Sequence, residues 1–160
     1  MSIALLSPLC LAQPATASLS NAALRVTVAP DGAYEIRAAG LRGPVLRARI
    51  ASEINHQWME SGMYPRRVIR TAAFHNALGH GRAVTVSFTG LTSEPDLRYT
   101  LRLYSDLPFG DIQAGVSNTT GKTVTVQAIR LVEGRGLREI NLNGLPSLDR
   151  ILSGSFSEDD

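Results

Sequence analysis

The side chains able to do chemistry are few, and their spacing limits what they can do. His75 and His80 stand five residues apart around Asn76-Ala77-Leu78-Gly79. That interval is neither the i, i+4 spacing of one helix face nor the even spacing of one strand face. No nearby cysteine or carboxylate completes a tetrahedral shell, so no metal site is expected. A serine nucleophile needs a strained turn such as G-x-S-x-G; the nearest string is Gly154-Ser155-Phe156, with no helical segment after it. Glycoside cleavage by paired acids needs two carboxyl groups facing each other across a pocket, about 5 Å apart in retaining enzymes. Glu158, Asp159 and Asp160 are instead neighbours along the chain. A mutarotase-like epimerase works with a histidine and a carboxylate, and His75 with Glu94 is the pair available. No catalytic set and no cofactor are expected.

Binding chemistry has one candidate stretch, residues 53 to 67, which holds the sole tryptophan together with His56, Tyr64 and the Arg66-Arg67 pair. Read as a long connection, it can present aromatic faces to the C–H face of a sugar while Asn, Glu and Arg fix its hydroxyls. Trp58 and Tyr64 are therefore the candidate substrate-binding residues. The competing reading, which the residues favour, has both rings plugging the open end of the fold, since Trp and Tyr are mostly buried.

Composition narrows the classes further. The chain has 160 residues, a formal net charge of +2, and Lys122 as its sole lysine. That length fits one domain with one core. Arginines alternate with acids, and no basic stripe with interleaved aromatics marks a nucleic-acid binder. Ile3 to Ala12 is a short apolar run followed by Pro14 and Ala15-Thr16-Ala17. An apolar run and then A-x-A is the order of a secretory signal peptide and its cleavage site; the run is shorter than the roughly 20 apolar residues that span a bilayer. Residues 1–17 are thus expected to be a signal peptide, and residues 18–160 a secreted or periplasmic domain. Cys10 falls in that leader, so the mature domain has no thiol for disulfides or metal.

The elements that must position these side chains read with period two. Leu24, Val26 and Val28 alternate with Arg25 and Thr27, and Pro30-Asp31-Gly32 makes a turn. Tyr34 and Ile36, then Leu46, Ala48 and Ile50, then Val84, Val86 and Phe88 continue the pattern until Gly90. Leu97-Tyr99-Leu101-Leu103 is the clearest case, with Arg98, Thr100 and Arg102 between. On a strand each set lines one face, giving one apolar and one wet side. Ile112, Ala114 and Val116 are expected to return through Ser117 to Lys122 as a hairpin with Val124, Val126 and Ala128. After Ala128 the apolar phase flips to Ile129 and Leu131, which implies a bulge or a strand covered on both sides. Half-polar antiparallel strands need a second sheet. The expected fold is all-β, an antiparallel β-sandwich.

Several strings resemble a family. Leu91-Thr92-Ser93-Glu94-Pro95-Asp96-Leu97, the strand to Tyr104, Asp106-Leu107-Pro108-Phe109-Gly110-Asp111 and Val116-Ser117-Asn118-Thr119 are similar to the amino-terminal supersandwich of bacterial alpha-galactosidase-like glycoside hydrolases of the melibiase and raffinose-synthase type. So are Asn55-His56-Gln57-Trp58, Tyr64-Pro65-Arg66 and, above all, the segment from Arg150 to Asp159. The resemblance covers about residues 21 to 159. It implies a galactose-mutarotase-like supersandwich, present whole or as its first half only and truncated at its C-terminal end.

It also implies that the parent protein is a retaining hydrolase of terminal α-galactosides, some relatives transferring the galactosyl group instead. The family's catalytic aspartates lie in a later (β/α)₈ barrel, which takes about 250 residues. No residue of this chain corresponds to them, so the chain alone is not expected to be catalytic. Trp58 is the one position carried over, as a residue lining the sugar pocket. The expected partner is an α-galactoside-type carbohydrate, met through the full-length protein, with no nucleic acid and no membrane span. Self-association through open sheet edges is expected of the isolated domain. A free-standing carbohydrate-binding sandwich and a structural extracellular domain are the alternatives; for the latter, Asn118-Thr119-Thr120 is an incidental glycosylation sequon.

Overall fold

Apolar side chains at every second position give each strand one face that must leave water, and two sheets meet over those faces. The computed structural model describes residues 16–134 and 139–141. Its first sheet contains β1 (Ala17–Ser20), β2 (Leu24–Val28), β3 (Tyr34–Ala38), β4 (Leu46–Ile54), β5 (Gln57–Glu60) and β10 (Val126–Glu133), in the order β1-β2-β3-β4-β10 with β5 beside β4. The second contains β6 (Arg66–Asn76), β7 (Gly79–Thr89), β8 (Asp96–Tyr104) and β9 (Gly110–Ser117), paired in sequence order. Every pairing is antiparallel. The protein is an all-β sandwich. No helix among the described residues is long and apolar enough to cross a membrane.

Val26, Val28, Tyr34 and Ile50 of the first sheet pack on Val84, Val86, Phe88 and Leu97 of the second. Tyr34 and Tyr99 face each other across the layers with ring centroids 5.6 Å apart. Three buried tyrosines keep their hydroxyls hydrogen-bonded: Tyr34 donates to Leu131 O at 2.6 Å, Tyr64 to Pro95 O at 2.6 Å and Tyr99 to Gly32 O at 2.9 Å. Each ring therefore fills the core without stranding a polar group.

β4 is the spine of the first sheet. Its first half pairs β3 and its second half pairs β5 on the same side, while β10 runs along the other side. Residues 139–141 extend that second edge, with Leu46 opposite Ile140 and Asn141 N donating to Val45 O.

Three expectations change. Residues 53 to 67 are not one long connection. β4 continues to Ile54, and Asn55-His56 forms a two-residue turn with both residues at positive φ (49° and 64°) before β5. A tight hairpin turn of this hand needs positive φ at both central positions, which Asn tolerates.

Secondly, β9 and β10 do not form a hairpin; β10 crosses to the first sheet and pairs β4. Asn55 draws it there, accepting Thr125 N on its side-chain oxygen and donating its backbone N–H to Thr125 O, both at 2.9 Å. The bulge is where the phase flip requires it, in the register shift between Val126 and Ala128.

Thirdly, His75 and His80 are brought face to face, as Cα partners across the β6–β7 hairpin. Odd sequence spacing on one strand becomes direct opposition once the chain turns between them.

Candidate functional site

Trp58 lies on the outer face of the first sheet, opposite Glu53 in the β4–β5 ladder. β10 places Arg130 beside Ala51 in the same sheet, and the Arg130 guanidinium lies 3.6 Å from the centroid of the indole ring. Arg130 is itself held by Glu133 at 3.0 Å. One face of the indole is therefore covered by a cation, and a sugar would have to use the other face or displace Arg130. Replacing Trp58 with Ala should lower stability by about 1–2 kcal/mol, read as a shift in the urea midpoint, through the lost cation–π contact and ring burial.

Tyr64 is placed elsewhere. Its ring is fully enclosed at 0 % exposure beside Phe88, so it offers a ligand no surface and closes the core end instead. His56 sits exposed in the β4–β5 turn, and Arg66 and Arg67 open β6 in the second sheet. The stretch read as one binding loop is thus divided among two sheets and the core.

The other candidate groups separate as well. Glu94 follows the Thr89–Arg66 end of the β6–β7 ladder, whereas His75 is nine residues along β6 from Arg66, a distance of roughly 30 Å on an extended strand. They cannot act on one sugar. Among the described residues no group of His, Cys, Asp or Glu side chains could hold a metal ion. Gly154-Ser155-Phe156, the acidic run Glu158 to Asp160, the Arg150 to Asp159 string and residues 1–15 of the expected signal peptide lie outside the described residues. In the 118–120 sequon, Asn118 Nδ2 donates to Lys122 O at 2.7 Å and its Oδ1 accepts Thr120 N at 3.1 Å.

Several acids are committed to arginines. Partial burial raises the Glu35 carboxyl, but hydrogen bonds and charge from Arg47 and Arg37 outweigh it and hold it below the usual range. For Asp31 burial again opposes, and the Ala33 N–H with Arg49 and Arg67 again wins. Both stay ionised at neutral pH, unsuited to delivering a proton.

The outer face of the second sheet is the built surface that sequence reading passed over as merely wet. Strand register sets its rows: Val68, Ser87 and Arg98 lie side by side, then Arg70, Thr85 and Thr100, then Ala83, Arg102 and Asp111. Val68, Arg70, Thr85, Ser87 and Arg98 line a cleft of about 290 Å³. The Thr85 hydroxyl of this lining lies 2.9 Å from that of Thr100, its neighbour in the same row. One pair further, Arg102 is neutralised by Asp111 at 3.1 Å, and Tyr104 donates to the same carboxylate at 3.0 Å. Arg70 and Arg98 are different, having no acidic partner among the described residues. The signal in the sequence was the arginine at alternate positions of β8; β6, which supplies Arg70, has no such rhythm.

Compared with protein-family models, with curated proteins and with solved structures, the chain finds no match. Its class rests on its own geometry: an antiparallel β-sandwich with a cationic cleft on the outer face of one sheet.

Proposed function

We propose that this chain is the non-catalytic amino-terminal β-sandwich region of a secreted alpha-galactosidase-like glycoside hydrolase. In that role it supports the sugar pocket of a (β/α)₈ barrel carried by the rest of the protein, and lines part of it through Trp58. The observation that supports the reading is the edge of β10, which has no partner strand among the described residues. Val126, Ile129 and Val132 on that strand, and Ile140 just beyond it, are large apolar side chains left exposed. Their strand pairs β4 on one side only. An exposed apolar edge strand invites pairing, and the second half of a supersandwich would cover it. The proposed parent enzyme rests on the resemblance in the sequence alone, and the proposed secretion on the apolar run with A-x-A.

Two measurements test this. Residues 18–160 alone should self-associate in size-exclusion chromatography and leave a chromogenic α-galactoside untouched. The same residues expressed with their downstream reading frame should run as a defined species and cleave it. A stable monomer from the short form, or turnover by it, would defeat the proposal.

A further inference from the structure

The cleft on the outer face of the second sheet has the parts of an oxyanion site. Arg98 and Arg70 stand on β8 and β6, with β7 between them, and are offset by one row of the ladder. Strand spacing and rise put their Cα atoms roughly 12 Å apart, a span that two arginine side chains reaching inward can close. Both residues are exposed, so their guanidinium groups are open to a ligand. Guanidinium forks match a pair of oxygens on a carboxylate or sulfate and bind them by paired, charge-assisted hydrogen bonds.

Between them the lining combines the hydroxyls of Thr85 and Ser87 with the exposed aliphatic side chain of Val68. Between Thr85 and Thr100 one hydroxyl donates to the other, which leaves the accepting oxygen's own O–H free to point into the cleft. Ser87 adds a hydroxyl that has no partner among the described residues. Hydroxyl donors and acceptors beside two cations suit a ligand that carries an acid and neighbouring hydroxyls together.

The charges around the cleft reinforce this. By strand alternation Arg66, Arg70, Arg98 and Arg102 share the outer face with Asp96 and Asp111. Asp111 is spent on Arg102, so the cleft remains net positive.

We propose that this cleft binds an acidic saccharide unit, a sugar bearing a carboxylate or sulfate, with Arg70 and Arg98 gripping the acid from two sides and Thr85, Thr100 and Ser87 meeting its hydroxyls. The proposal rests on the carbohydrate reading above but uses a different face from Trp58, so the two fail separately.

Calorimetric titration tests it with four probes: an oligogalacturonate, a sulfated galacto-oligosaccharide, a neutral galacto-oligosaccharide and inorganic sulfate. One of the acidic saccharides, and so one of the two acids, should bind more tightly than sulfate alone and weaken as salt rises. Arg70→Gln and Arg98→Gln should each weaken it by roughly tenfold or more, while circular dichroism and the urea midpoint stay unchanged because both side chains are exposed. Binding of the neutral sugar should ignore these substitutions and respond to Trp58→Ala. Equal affinity for neutral and acidic saccharides, undiminished binding in both arginine variants, or affinity for sulfate equal to that of the sugars would overturn the acidic site. A neutral sugar that fails to bind at all, with acidic binding intact, would support the cleft, since the Trp58 pocket is completed only by the barrel.

Discussion

Replacing Gly32 with Ala should cost about 2–5 kcal/mol and lower Tm by roughly 10–20 °C, a large effect for a single methyl group. Gly32 ends the Pro30-Asp31-Gly32 turn with φ at +78°, a region that costs an L residue about 1–2 kcal/mol. An added Cβ would also lie 2.4 Å from Phe88 Cε1 and 2.6 Å from its Cζ. That ring has no room to retreat, because Phe88 is fully buried with Tyr99 at 5.9 Å and Tyr64 at 6.3 Å. Moving the turn outward instead would stretch the Tyr99 hydroxyl from Gly32 O. Gly40 provides the control: its φ is +79°, yet a Cβ there meets nothing within 4 Å. Thermal denaturation of Gly40→Ala should show the backbone cost alone. Equal losses in the two variants would mean that the Phe88 contact is not limiting.

The second large effect is alkaline. Burial pushes the phenols of Tyr34 and Tyr64 up to about 12, with Asp96 and Glu94 adding to the effect on Tyr64. Burial pushes Tyr99 higher still, helped by Tyr34 and Asp31. An unfolded tyrosine ionises near pH 10. Below that value both states are neutral and the three rings contribute in full. As pH rises above 10 the unfolded chain gives up its protons first, and the contribution drains away until the folded groups ionise at about 12 or beyond. Three such groups amount to a loss on the order of 4 kcal/mol by pH 11, a large share of a domain's typical 5–15 kcal/mol. The urea midpoint should hold level to about pH 9.5 and then fall steeply. Phenolate absorbance from these rings should appear together with unfolding. Full ionisation while circular dichroism stays native would contradict the packing described here.

Much of this fold could be read from the chain. β2, β7 and β8 are half-buried over their whole length, so selection for one dry face leaves clean alternation at Leu24-Val26-Val28 or Leu97-Tyr99-Leu101-Leu103. β6 stayed hidden for the converse reason. It is an edge strand whose middle, Thr71 to Ala73, is exposed on both faces, so nothing imposes a period there. The partner of β10 was misread because the local chemistry of Asn118, Thr120 and Gly121 does form a turn. The pairing that wins is with β4, fastened at its start by Asn55, 70 residues away from Thr125. A bulge was legible where a neighbour was not, since a bulge is written in one strand's own phase.

The candidate site divides along the same line. Trp58 and Tyr64 stand out by residue type, but type does not say that one ring lies under Arg130 and the other inside the core. Arg70 and Arg98 are ordinary arginines in the chain. Only the register of three strands makes them flank one cleft, and register is a property of pairs.

The position of β4 also bears on how the protein is made. Ser52 donates to Ala128 O, a bond closed across 76 residues. A ribosome adding about 5–20 residues per second leaves that side of β4 unmatched for roughly 4–15 s after Ser52 is synthesised. Throughout that interval the nascent chain displays a bare row of amide and carbonyl groups on its longest first-sheet strand. Export before folding, or a chaperone that shields the row, would spare the cell the tangle that two such chains could form.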